Sequence, residues 1–340
     1  MPHVSVIIPT YNRATYIARA LESVLSQSYR DFEVIVVDDG SFDNTKQVVQ
    51  AYGDRVRYVF QSNAGPGAAR NLGIRVSQGE YLAFLDSDDA WMPEFLSKTV
   101  GALDAHPEVD AVTTGIYVGP ADQKREAMTE GVETGVWQLT TRVAKRQLPF
   151  VLNGFCAGAV LVRKEVVERY GGFYEQRCTL GEDVYLWMQV VLNHRVYRLR
   201  EPLAWYDTEA SELGFASGRR HYPLEPVLID ATPIWRNCPD RHRAFLSYWL
   251  ACHAVKSIHL QMAAGDHEKA RWLMQHYPLV RRWTSDWLRI QFKLAFPIVS
   301  ALLRRAKYAL LRKQPLPKRM QAESLQGFEG LPHGGTDGWS

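Results

Sequence analysis

The chain has 340 residues, 46% hydrophobic and 11% aromatic, which is enough apolar material for one large or two modest domains. Its net charge of +3 hides a division: positions 281–319 hold eleven basic residues and one acid, which leaves 29 basic and 36 acidic residues elsewhere. An acidic body with one basic segment argues against a general nucleic-acid binder and for a single localised anionic partner.

The first half alternates strand and helix patterns. Residues 4–8 form an apolar strand. A helix follows, with Ile17, Ala20, Leu21, Val24 and Leu25 at helical spacing. Strands are expected over 33–37, 56–61 and 81–85, and helices over 44–52, from Gly65-Pro66-Gly67 onward, and over 93–106. Continuous apolar strands between helices predict a parallel sheet covered on both faces. Ligands of such sheets bind beyond the strand carboxyl ends. Thr10-Tyr11, Asp38-Asp39 and Asp86-Asp88 all fall at that edge. Further strands are expected over 111–118, 158–163 and 196–199, with an irregular stretch over 119–148. Val184, Trp187, Met188, Val191 and Leu192 mark one helix face. Past Arg241 the pattern is helical, broken at Gly265-Asp266 and resumed at Ala270, Leu273 and Met274, as in a helical hairpin. From Gln314 the composition predicts disorder.

The sharpest chemical signal is Asp86-Ser87-Asp88-Asp89, three carboxylates directly after an apolar run. Such charges repel unless a cation joins them, and a hard divalent ion takes carboxylate oxygens. A solvated acidic turn is the plain alternative. Gly65, Gly67, Arg70 and Asn71 surround a helix start, where backbone N–H groups favour an anion. Asp183 opens another helix beside Glu182. The helix dipole lowers its proton affinity, whereas burial and Glu182 raise it. Trp187 reads as core. Trp205 and Tyr206 suit either packing or stacking on a ligand.

In order, Val4-Ser5-Val6-Ile7-Ile8-Pro9-Thr10-Tyr11-Asn12, Val36-Val37-Asp38-Asp39-Gly40-Ser41, Asn63-Ala64-Gly65-Pro66-Gly67-Ala68-Ala69-Arg70-Asn71, Asp86-Ser87-Asp88-Asp89, Gly171-Gly172-Phe173 and Gly181-Glu182-Asp183 resemble the motifs of family 2 glycosyltransferases over residues 3–205. The resemblance implies a GT-A fold: an α/β, Rossmann-like, mostly parallel sheet flanked by helices, here followed by a C-terminal helical region. It implies inverting transfer of a sugar from a nucleotide-diphosphate donor, such as a UDP-sugar, to a hydroxyl, with Mg²⁺ or Mn²⁺. Pro9, Thr10 and Tyr11 would border the nucleotide, and Asp39 would bind its base. Gly65, Arg70 and Asn71 would help hold the donor. Asp86 would contact the ribose or the metal, Asp88 would ligate the metal, and Asp89 would support or cap. Asp183 would be the base, with Glu182 beside it.

Two departures from the family pattern stand out. Many relatives carry Tyr-Arg-x-His after the late strand, whose His can join the metal; this chain has Tyr206-Asp207-Thr208-Glu209, so the third ligand is Glu209 or water. The Gln-x-x-Arg-Trp pattern of processive synthases is absent, which favours addition of one sugar. The expected division is 1–220 catalytic, 221–313 helical extension and 314–340 tail.

The basic segment 281–313 carries Trp283, Trp287, Ile290, Leu294 and Ile298 at helical spacing among Lys and Arg, too short in its uncharged run to span a bilayer. It suits an anionic membrane surface or a packed helix with a basic face, and so a lipid-linked or other cell-surface glycan acceptor. Residues 4–8 stop at Pro9 too early for a signal segment, and Cys156, Cys178, Cys238 and Cys252 lack disulfide or zinc spacing, so a cytoplasmic or inner-face location is expected. Against a dinucleotide oxidoreductase stands the absence of Gly-x-Gly-x-x-Gly after the first strand. A phospho-receiver domain leaves Asp86-Asp88 and Glu182-Asp183 unexplained. A GT-A-like domain that binds nucleotide or glycan without turnover is the remaining alternative.

Overall fold

The structure, a computed structural model, describes residues 1–141, 151–176, 178, 181–210 and 223–282. The chain divides into two compact units, Met1–His253 and Ala254–Ser340.

In the first unit, β1 (Val4–Thr10), α1 (Ile17–Leu25), β2 (Phe32–Asp38), α2 (Thr45–Gln50), β3 (Arg57–Phe60), α3 (Pro66–Val76) and β4 (Tyr81–Phe84) alternate as the periodicity predicts. Every residue of β1 is buried, as a central strand with both faces covered requires. α1 turns Ile17, Ala20, Leu21 and Val24 inward. α3 starts at Gly65, whose φ of +100° needs a residue without Cβ, and Pro66 follows at the first helical position.

The chain continues through β5 (Ala90–Trp91), α4 (Phe95–Ala105), β6 (Ala111–Val118), β7 (Arg125–Ala127), β8 (Gly135–Trp137), β9 (Val160–Arg163), α5 (Lys164–Arg169), α6 (Glu182–Asn193) and β10 (Val196–Tyr206). One sheet runs β3-β2-β1-β4-β9-β6-β10-β5, with β7 on β6 and β8 on β10. β1 to β4 pair in parallel, as do β6 and β10. β9 lies antiparallel between β4 and β6. Its apolar run, Val160 to Val162, has the same composition as the parallel strands, so sequence places the strand without giving its direction. Pro202 interrupts the β6–β10 register, as a residue without an N–H must inside a ladder. The stretch expected to be irregular holds β7 and β8, each only three residues long; positions 142–148 of it lie outside the described residues.

Three more helices, α7 (Pro226–Ile229), α8 (Thr232–Asn237) and α9 (Arg243–Ala264), follow, and the division between the units falls within α9. In the second unit Gly265, at φ +84°, turns the chain into α10 (His267–His276). Asp266 caps α10 by accepting from the Lys269 amide at 3.1 Å. The break and the resumed helix stand where the sequence places them. Among the described residues no helix is long and apolar enough to cross a membrane. The basic segment from Trp283 and the tail lie outside the described residues.

Candidate active site

The carboxyl ends of β1, β2 and β4 deliver the first group of polar residues. Thr10 and Asp38 are register partners, and the Asp39 amide donates to the Thr10 carbonyl at 2.8 Å. Asp38 is fully buried. It accepts from the Ser41 amide at 2.8 Å and from the Tyr58 hydroxyl at 2.7 Å. Asp39 accepts from Gln61 Nε2 at 2.7 Å and from the Ala64 and Gly65 amides at 2.8 Å each. The anion seated at the start of α3 is therefore the Asp39 side chain. A carboxylate has about four acceptor positions, and three are filled on this buried side chain among the described residues. Pro9 and Thr10 are buried, and the Thr10 hydroxyl has no hydrogen-bond partner among the described residues. Tyr11 stands at the surface, edge-on to Phe42 with ring centroids 6.2 Å apart.

The second group is acidic and centred on one cation. Arg70, buried on α3, bonds Asp86 at 2.5 Å and Glu182 at 2.6 Å. Burial lowers its pKa, but Asp86, Glu182 and Asp183 outweigh that and hold it above the usual value. Asp88 lies 3.6 Å from Arg13 Nε. Burial and then Asp86 push its pKa up to about 6, against Arg13 and Arg19. Asp89 is held well above the carboxylate range by burial, Asp86 and Asp88; it accepts from the Asp207 amide at 3.1 Å and caps no helix.

Asp183 sits in the first turn of α6, after Gly181 at φ +81°. Its pKa rises to about 7, through burial first and Glu182 second, against Arg70 and a bond from the Val184 amide. Of the two opposing influences on this residue, burial wins. Asn71 fastens α3 to the Gly171-Gly172-Phe173 loop: its amide donates to the Phe173 carbonyl and accepts from the Phe173 N–H, each at 2.8 Å. Gly67 makes that approach possible, because a Cβ there would lie 2.0 Å from the Tyr174 carbonyl oxygen. Arg70 and Asn71 thus act here as braces between elements. Asp86, Asp88, Glu182 and Asp183 form one electrostatic cluster, whereas Asp39 bonds to the loop that leads into α3.

Residues 5–171 match the profile of Glycosyl transferase family 2. The chain carries a family 2 glycosyltransferase domain. An uncharacterized glycosyltransferase of Rickettsia typhi is 30% identical over 202 residues, 58% of this chain and 61% of the relative, so the chain spans about three fifths of that relative's length. S. aureus TarS 1-349, solved with UDP-GlcNAc, shares 24% identity and a TM-score of 0.62 over 82% of this chain and 78% of its own. The mannosyltransferase PcManGT from Pyrobaculum calidifontis, solved with GDP-Man and Mn²⁺, shares 19% identity and a TM-score of 0.53 over 92% and 88%. These likenesses establish the GT-A fold: a mixed α/β sheet with flanking helices and a helical C-terminal region.

Arg13, Arg19 and Asp207, to which the sequence assigned no role, complete the cluster. Arg13 faces Asp88. Arg19 bonds Asp207 at 2.7 Å and also donates to the Asp88 carbonyl. Arg13 adjoins the first motif and was within reach of inspection. Arg19 and Asp207 are 188 positions apart, and no local pattern joins them. Trp205 is buried under Arg19 and Lys124, with its indole N–H on the Gly119 carbonyl, so it packs. Trp187 is core, against Phe84, Phe155 and Phe173.

The residues of the family 2 domain suit a divalent ion. Asp86 and Asp88 offer hard oxygen donors on one turn, and Asp88 is raised by burial first and by the adjacent Asp86 charge second. Among the described residues no three His, Cys, Asp or Glu side chains converge as a cage, and Glu209 is exposed. Two carboxylates with phosphate and water completing the shell is the usual pattern for Mg²⁺.

Proposed function

We propose that the protein is an inverting glycosyltransferase that moves one sugar from a nucleotide-diphosphate donor, with a UDP-sugar as first candidate, to a hydroxyl of a glycan or lipid-linked acceptor. The observation that carries this reading is the acidic cluster in which Arg70 ties Asp86 to Glu182 beside Asp183 at the start of α6, where burial raises the proton affinity of Asp183. A base must stand near neutrality to accept a proton at physiological pH, and burial gives Asp183 that property.

The chemistry then divides among this chain's own groups. The Asp183 carboxylate takes the hydroxyl proton as the acceptor oxygen closes on the anomeric carbon, and the diphosphate leaves from the opposite face. Glu182, tied to Arg70, keeps Asp183 in a negative field that favours proton uptake. Asp88 and Asp86 would hold Mg²⁺ or Mn²⁺, which when bound supplies positive charge for the departing diphosphate. Pro9, Thr10 and Tyr11 border the nucleotide, and the Asp39 carboxylate accepts from a base N–H. Residues 1–220 are assigned to catalysis and 221–313 to an extension whose basic part contacts an anionic surface on the inner face of the membrane.

A thermal-shift screen of UDP-, GDP- and dTDP-sugars with Mn²⁺ tests the donor reading, because a ligand of the folded state raises the melting temperature. One donor class should stabilise the parent chain, and Asp88→Ala should abolish the metal-dependent part of that gain. No stabilisation by any of the three classes would oppose the reading.

A further inference from the structure

Phe42 is 83% exposed, the most exposed large apolar side chain among the described residues after Met1. A single exposed apolar residue is ordinary. This one is unusual in how firmly its backbone is held and in what it stands beside. The Phe42 amide donates to Asn12 Oδ1 at 3.0 Å. The three successive amides of Asn12, Arg13 and Ala14 donate to Ser41 Oγ, Thr45 Oγ1 and Asp43 Oδ2 at 2.9, 2.9 and 3.1 Å. Asn12 takes φ +52°, a left-handed conformation that a non-glycine residue adopts only where its surroundings enforce it. The loop after β2 is therefore laced to the loop after β1, and the lacing fixes the backbone that carries Phe42.

What Phe42 stands beside is Tyr11, itself 41% exposed, in an edge-to-face pair. Two positions before Ser41 lies Asp39, with three of about four acceptor positions filled among the described residues. Exposed aromatic rings on a fixed backbone next to a hydrogen-bond acceptor match the two properties of a nucleobase: a flat π-face and an edge that carries N–H groups. A sugar or phosphate would call for more polar groups than Tyr11 and Phe42 offer.

We propose that Phe42 is a binding residue for the donor nucleotide, forming with Tyr11 an aromatic wall against which the base packs while Asp39 reads its edge. This rests on the nucleotide-donor reading above. Phe42 touches the base alone, so its removal acts on nucleotide affinity and leaves diphosphate affinity unchanged.

The test is calorimetric titration of the full chain with UDP, GDP, dTDP and inorganic pyrophosphate, each with Mn²⁺, in the parent, Phe42→Ala and Phe42→Tyr. Loss of one base–aromatic contact predicts that Phe42→Ala weakens nucleotide binding about five- to ten-fold. Pyrophosphate binding should stay at the parental value, and Phe42→Tyr should restore nucleotide affinity. Because Phe42 is exposed, the variants fold, and equal melting temperatures confirm it. Parental nucleotide affinity in Phe42→Ala overturns this inference alone, and so does an equal loss for pyrophosphate. A parent chain that binds none of UDP, GDP and dTDP overturns the donor reading and this inference with it.

Discussion

At the scale of single residues, the proposal turns on a carboxylate moved out of its ordinary range. Asp183 begins a helix, where the dipole alone would make it more acidic. Burial beside Glu182 reverses that and lifts it to about 7. If Asp183 takes the acceptor proton, kcat/KM for transfer should rise about tenfold per pH unit up to near pH 7 and then level off. A profile flat between about pH 5.5 and 8 would exclude Asp183 as the titrating base. The Asp38-Asp39 pair shows the limit of reading residues by motif. Sequence marks both as more than a turn requires. The structure gives Asp38 the turn, through the Ser41 amide, and gives Asp39 three bonds that hold the Gln61–Gly65 loop. That bracing comes from residues more than twenty positions away, and nothing local in Asp-Asp-Gly-Ser encodes it.

At the scale of elements, the site is assembled by ties between segments distant in sequence. Arg19 on α1 joins Asp207, past the end of β10, to the Asp88 carbonyl, and the Asp207 amide returns a bond to Asp89. The latch lies in the Tyr206-Asp207-Thr208-Glu209 stretch, where the chain places an acid after the late strand and pairs it with an arginine on α1. Arg19→Gln and Asp207→Asn should each weaken donor binding and lower stability. Their double-mutant cycle should show coupling on the order of 1 kcal/mol, modest because Arg19 is one-third exposed. Strictly additive effects would mean that the latch does not position the Asp86–Asp89 turn. Helices and parallel strands were legible because burial imposes a period of 3.6 or a continuous apolar run. The direction of β9, the two-residue β5 and the Arg19–Asp207 tie were not, because pairing direction and long-range ion pairs leave no periodic trace.

At the scale of the whole molecule, the acidic cluster costs stability that its chemistry requires. Asp88 and Asp183 have native pKa values near 6 and 7 against an ordinary 3.8. Between those values and the ordinary one, the native state binds more protons than the unfolded chain, so stability falls as pH rises from about 4 to 7. Asp43 and Asp230 are shifted the other way, and their contribution is lost only when pH falls into or below the ordinary carboxylate range. The ligand-free chain should therefore melt at higher temperature at pH 5 than at pH 7.5, and Asp183→Asn should flatten that slope. A melting temperature that climbs steadily from pH 5 to 7.5 would contradict the burial of these charges.

Asp86 and Asp88 were legible at a strand end, and Glu182 and Asp183 at a helix start. Sequence marked Arg70 but not its place as the buried cation that holds Asp86 and Glu182 together. The most direct test compares Asp183→Asn with the parent for donor binding and for sugar transfer. Donor affinity should stay within about two-fold, while transfer should fall about 10²- to 10⁴-fold. Transfer at the parental rate would contradict the account.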